Sequence, residues 1–87
     1  MTDTAFDKTG WVVLKQPRCR YCTIAIDLLD KAGAEVTILD VSTNEGLKTF
    51  LKASGLTTVP QVFQHGHLIG GSDDLTTYLL SLGVIDP

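Results

Sequence analysis

WVVLKQPRCRYCTIAIDLLDKAG, from Trp11 to Gly33, changes its periodicity half-way, and the only two cysteines of the chain sit at the change. Trp11 to Leu14 (WVVL) is aromatic, β-branched and apolar, bounded by Gly10 and Pro17, which is the pattern of a buried strand. From Tyr21 to Ala32 the apolar positions Ile24, Ala25, Leu28, Leu29 and Ala32 recur at helical spacing. Gly33 stands where a C-terminal glycine closes such a helix. A strand, a CxxC and an amphipathic helix thus follow in immediate succession.

Downstream, Glu35 to Val41 (EVTILDV) reads as a second strand with Val36 and Ile38 on one face. Ser42 and Glu45 fit the S-x-x-E capping box of a second helix, with Leu47, Phe50 and Leu51 as its apolar stripe and Gly55 as its stop. Gln61 to His65 and Leu68 to Ile69 flank His65-Gly66 as two short antiparallel strands around a tight turn. Ser72 is placed to cap a last helix that buries Leu75, Tyr78, Leu79 and Leu82 and ends before Gly83. The order βαβαββα predicts an α/β fold, a four-stranded mixed sheet with helices on both faces. The CxxC then lies at the carboxyl end of the first strand, where open α/β sheets place their ligands. Residues 1–87 form one domain, with residues 1–9 expected to be a flexible N-terminal segment.

Composition narrows the function. A chain 44% hydrophobic and 20% charged buries enough to fold. Its net charge of −3 argues against a nucleic-acid partner. No stretch approaches a membrane span, and MTDTAFDK is too acidic for a secretory signal, so a cytoplasmic location is expected. In such a reducing compartment two close cysteines are redox-active or metal-binding sooner than a permanent cross-link.

Structural zinc needs four ligands, and here two cysteines would have to recruit His65 and His67, alternate residues of a distant turn. No metal is expected, and both histidines read as surface turn residues. A CxxC between a strand and a helix is instead a redox arrangement. Cys19, at the helix start, meets unpaired N–H groups and the positive end of the helix dipole, which favour thiolate. Cys22 lies one turn further in, which makes Cys19 the attacking sulfur and Cys22 the resolving one. Arg18 and Arg20 flank the nucleophile and favour its negative form, although basic residues oppose the helix dipole at this end.

Two further stretches carry chemistry. In TTVPQVF (Thr57–Phe63) a cis Val59-Pro60 bond would turn the Val59 backbone outward, ready to pair with an extended peptide. In GGSDD (Gly70–Asp74) a helix N-terminus offers N–H groups to a carboxylate, and Asp73 or Asp74 an acid to an ammonium.

CRYC, TVPQVF and GGSDDL, in this order and spacing from about Val12 to Leu82, together resemble a dithiol glutaredoxin. The resemblance implies a thioredoxin-like fold and glutathione as co-substrate without a required metal. It makes Cys19 and Cys22 the catalytic pair and redox disulfide, and Pro60 the cis-proline. It assigns Tyr21, Thr58, Val59, Pro60, Gly71, Ser72 and Asp73 to glutathione. Lys15 and Gln16 are candidate contacts for its carboxylate.

The expected activity is reduction of protein disulfides and glutathione mixed disulfides by a monomer, with disulfide-bearing or glutathionylated proteins, ribonucleotide reductase among them, as partners. The alternatives are an iron-sulfur cluster carrier ligated through glutathione and a redoxin fed by thioredoxin reductase. Three positions depart from the family pattern. Arg20 replaces a proline, Gln16 stands where many members have lysine, and Ser72 replaces a cysteine.

Overall fold

The structure, a computed structural model, describes residues 6–86. Strand β1 (Trp11–Lys15) leads into helix α1 (Arg20–Lys31), then β2 (Val36–Asp40), a 3₁₀ turn (Val41–Thr43) and α2 (Glu45–Ala53). The hairpin β3 (Gln61–Gln64) and β4 (His67–Gly70) and helix α3 (Ser72–Ser81) complete the expected βαβαββα order.

The sheet runs β2-β1-β3-β4. β1 pairs in parallel with β2, from Trp11 opposite Val36 to Lys15 opposite Asp40, and antiparallel with β3, Val13 facing Val62. Because strand side chains alternate, β1 feeds two cores. Trp11 and Val13 pack with Ala25 and Leu29 of α1, Val62, and Leu75 and Leu79 of α3. Leu14 turns the other way, onto Val41 and Leu51, with Val12, Leu47 and Phe63 alongside. Helices α1 and α3 thus cover one face and α2 the other, and each fully buried leucine of the first core contributes about 1.5–3 kcal/mol.

Several local expectations change. The cap of α2 is Asn44, whose Oδ1 accepts from the Leu47 N–H at 3.0 Å, and not Ser42. Ser42 is taken by Asp40, whose Oδ1 accepts from both the Ser42 N–H (2.8 Å) and its hydroxyl (2.6 Å) and so nucleates the 3₁₀ turn first. Likewise Ser72 is the first residue of α3 and Gly71 its cap, with the Asp74 carboxylate accepting from the Gly71 N–H at 3.1 Å. Ile38 is exposed because β2 is an edge strand, and Leu82 because it lies past the last turn of α3.

The hairpin turn is His65-Gly66, both at positive φ (48° and 80°), as a two-residue turn with the strand twist requires. An extra residue on β4 bulges the pairing between Val62 and Phe63 and bends the strand into the Gly70-Gly71 corner. Gly70, at φ 125°, lies against the Asp74 side chain, which leaves no room for a Cβ.

Of the segment 1–9, residues 1–5 lie outside the described residues. The rest is tied to the body: Phe6 packs on Trp11, the Asp7 carbonyl accepts from Trp11 Nε1 at 3.0 Å, and Gln64 Nε2 donates to both the Asp7 and Thr9 carbonyls. Among the described residues no helix is long and apolar enough to cross a membrane.

Candidate active site

Parallel pairing of β1 with β2 requires the chain to cross over through α1, which starts at the carboxyl end of β1. Cys19 is the N-cap of that helix, in extended conformation, and its Sγ accepts from the Cys22 N–H at 3.2 Å. A backbone donor on sulfur together with the helix dipole stabilises a thiolate there. Cys22 is almost fully buried and Cys19 partly exposed, and the two are joined as a disulfide with Cα atoms 5.2 Å apart. Only Cys19 can meet a partner's sulfur without the helix opening.

The peptide bond between Val59 and Pro60 is cis, and the Val59 carbonyl oxygen lies 3.8 Å from Cys19 Sγ, a contact that becomes a hydrogen bond when the sulfur carries a proton. Among the described residues no group accepts from the Val59 N–H, which leaves it open to an extended ligand. Tyr21, Thr58, Val59, Pro60, Gly71, Ser72 and Asp73 all line one cavity of about 450 Å³, with Asp74 at its end. Through Tyr21, Thr58 and Val59 it continues into a second cavity reaching Gln16, Cys19 and Arg20, floored by Val41, Leu51 and Leu56. The two make one groove past Cys19 Sγ.

The two acids of GGSDD divide their work. Asp74 is engaged as the cap of α3, whereas Asp73 is exposed and has no hydrogen-bond or ion-pair partner among the described residues. Lys15 and Arg18 do not reach this groove. They line a separate cavity of about 330 Å³ on the other side of Cys19, with Arg20 and Gln16 bordering both. Strand alternation explains Lys15: it shares the parity of Trp11 and Val13 and so faces away from α2. Near it, Asp40 is held below the usual carboxylate range, first by the Ser42 hydroxyl and N–H and to a lesser degree by the Lys15 charge.

Gln61 is a further residue of the site. It is 5% exposed, and its Nε2 donates to the Thr58 carbonyl at 2.9 Å, which braces the loop that presents Val59. Its Oε1 has no donor among the described residues. A polar residue directly after Pro60, at the start of a predicted strand, was the available signal.

A model of the glutaredoxin family matches residues 6–69. The chain belongs to the glutaredoxin family. Among curated proteins this glutaredoxin is 40% identical to Glutaredoxin 3 of Escherichia coli over 70 residues, 79% of this chain and 83% of that one. It is 38% identical over 66 residues to Hybrid peroxiredoxin hyPrx5 of Haemophilus influenzae, where the match takes 76% of this chain but only 27% of that protein's length. Among solved structures, holo glutaredoxin C1 of Populus tremula x tremuloides superposes with a TM-score of 0.75 at 26% identity, covering 88% of this chain and 73% of that one. A buckwheat glutaredoxin-glutathione complex gives 0.66 at 29% identity, covering 88% and 82%. The thioredoxin-like fold follows, and family membership implies thiol-disulfide oxidoreductase chemistry at the Cys19-Cys22 pair.

Proposed function

We propose that this glutaredoxin reduces protein disulfides and glutathione mixed disulfides at the expense of glutathione, in a reducing compartment such as the cytoplasm. The observation that carries the reading is the groove: a Val59 N–H and an Asp73 carboxylate that have no partner among the described residues, and the start of α3, all leading to Cys19. Glutathione is an extended peptide with two carboxylates and one ammonium, and these groups complement it. That a related buckwheat protein was solved with glutathione supports the same ligand.

Chemically, the Cys19 thiolate attacks the glutathione sulfur of a mixed disulfide. The old S–S bond breaks, the protein thiolate leaves and takes a proton from water, and Cys19 is left joined to glutathione. A second glutathione thiolate then attacks that sulfur, releasing glutathione disulfide and the Cys19 thiolate. Alternatively Cys22 attacks Cys19, expels glutathione and closes the disulfide, which two further glutathiones reopen.

The test is glutathione-coupled reduction of a small glutathione mixed disulfide by the wild type, Cys19→Ser and Cys22→Ser. Loss of turnover in Cys19→Ser alone is expected. Full activity in that variant would overturn the assignment of the nucleophile.

A further inference from the structure

Cys19 borders two cavities that share Gln16 and Arg20, and the glutathione reading uses only the one that runs past Val59. We infer that the second cavity, lined by Lys15, Arg18, Arg20, Thr23 and Ile26 beside the reactive sulfur, receives an acidic segment next to the disulfide of the protein substrate. This rests on the proposed function and extends it from the glutathione half of a mixed disulfide to the protein half.

Space is the first argument. With glutathione in the groove from Tyr21 to Asp73, the protein half must lie over the rest of the rim around Cys19, and the cavity on that side is the cationic one. Charge is the second. The chain carries a net −3, so acidic partners are repelled at long range, yet three of its seven basic side chains gather here.

Lys31 and Lys48 are paired with Asp27 and Glu45, whereas none of Lys15, Arg18 and Arg20 has a carboxylate within ion-pair distance among the described residues. Asp40 offsets part of the Lys15 charge, which leaves the two exposed arginines as the main attraction. The backbone supplies a third argument. Arg18 is held at φ 57°, a left-handed conformation that glycine or asparagine adopts with less strain, and strained residues of this kind concentrate at functional sites. Half-buried Ile26 gives the cavity an apolar base for the aliphatic part of an acidic side chain.

Two glutathionylated peptides of equal length, differing only in glutamate or lysine residues flanking the cysteine, test the inference. For each, kcat/KM is divided by the rate of its uncatalysed exchange with free glutathione, which removes differences in leaving-group reactivity. The expected ratio favours the acidic peptide by roughly tenfold at low ionic strength, because rim charges act mainly on association. It falls towards one at about 1 M salt, where the Debye length is about 3 Å.

Arg18→Glu combined with Lys15→Glu should abolish or invert the ratio, and because the ratio is internal to each protein, any general loss of activity cancels. A ratio near one in the wild type, or one that survives the double substitution, overturns the docking surface. A small hydroxyethyl-glutathione disulfide run in parallel separates the two readings: no turnover there overturns glutathione use, while turnover without peptide preference overturns only the acidic partner.

Discussion

The two ends of the sheet are built on opposite terms. At the end holding the β3-β4 turn, donors find acceptors: the Asp7 carboxylate accepts from the Thr9 N–H and hydroxyl and lies 2.9 Å from His65 Nε2, while the Asp7 carbonyl takes Trp11 Nε1. At the other end, around Cys19, the Val59 N–H, Asp73 and the cations of the second cavity have no partner among the described residues. Satisfied groups add stability, and unsatisfied ones are what a ligand can complete. Stability and chemistry are thereby assigned to opposite ends of a sheet only four to five residues deep.

Substitutions at one end should therefore leave the other's property untouched. The largest effect belongs to Cys19→Ser, which should remove turnover while the reduced protein unfolds at the same urea concentration as reduced wild type. Next is Trp11→Ala, expected to cost about 3–5 kcal/mol in urea unfolding, a large part of the roughly 5–15 kcal/mol available to a domain. The folded fraction should keep its kcat/KM. A cost below about 1 kcal/mol would show that Trp11 does not hold the closed end together.

Gln61→Leu sharpens the comparison from the open end. It removes one hydrogen bond worth roughly 0.5–1.5 kcal/mol and also a buried orphan acceptor that costs about 1–3 kcal/mol. Stability should therefore stay level or rise, while the unbraced Thr58 loop raises the KM for glutathione several-fold. A smaller effect is expected from Arg20→Ala, which should move the rate of Cys19 alkylation to higher pH. An unchanged profile would remove Arg20 from the stabilisation of the thiolate.

The smallest effect is a pH dependence at the closed end. Asp7 is lowered from the usual 3.8 to about 2, first by the Thr9 hydroxyl and then by the Thr9 N–H and His65. A carboxyl with a depressed folded value stabilises the fold above its unfolded value, so this contribution is full above about pH 4 and is lost as the pH falls towards 2. Asp7→Asn should flatten that part of a Tm-versus-pH curve and leave catalysis alone. An unchanged acid limb would detach Asp7 from stability.

Element order and the place of the cysteine pair between β1 and α1 were legible because they rest on periodicity and on one sharp change of period at Cys19. The caps of α2 and α3 were misread because several neighbouring oxygens compete for the same N–H groups: Asp40 takes Ser42 before it can cap, and Asp74 reaches back to Gly71. Gln61 was legible only as a polar residue directly after Pro60, because its contact with the Thr58 backbone is a tertiary fact that no pattern of residue types encodes. The separation of Lys15 from the groove needed only the parity of β1, but which face α2 covers is a tertiary fact.

The left-handed residue before the nucleophile has a practical consequence. Arg18→Gly relieves roughly 1–2 kcal/mol of left-handed strain against an entropic loss of about 0.5–1 kcal/mol, so it comes out neutral to stabilising. A laboratory selection for heat tolerance would therefore drift towards glycine at position 18. Its survivors would be sturdier proteins from which one of the charges beside the reactive sulfur had been quietly erased, and screening by melting temperature alone would count them as improvements.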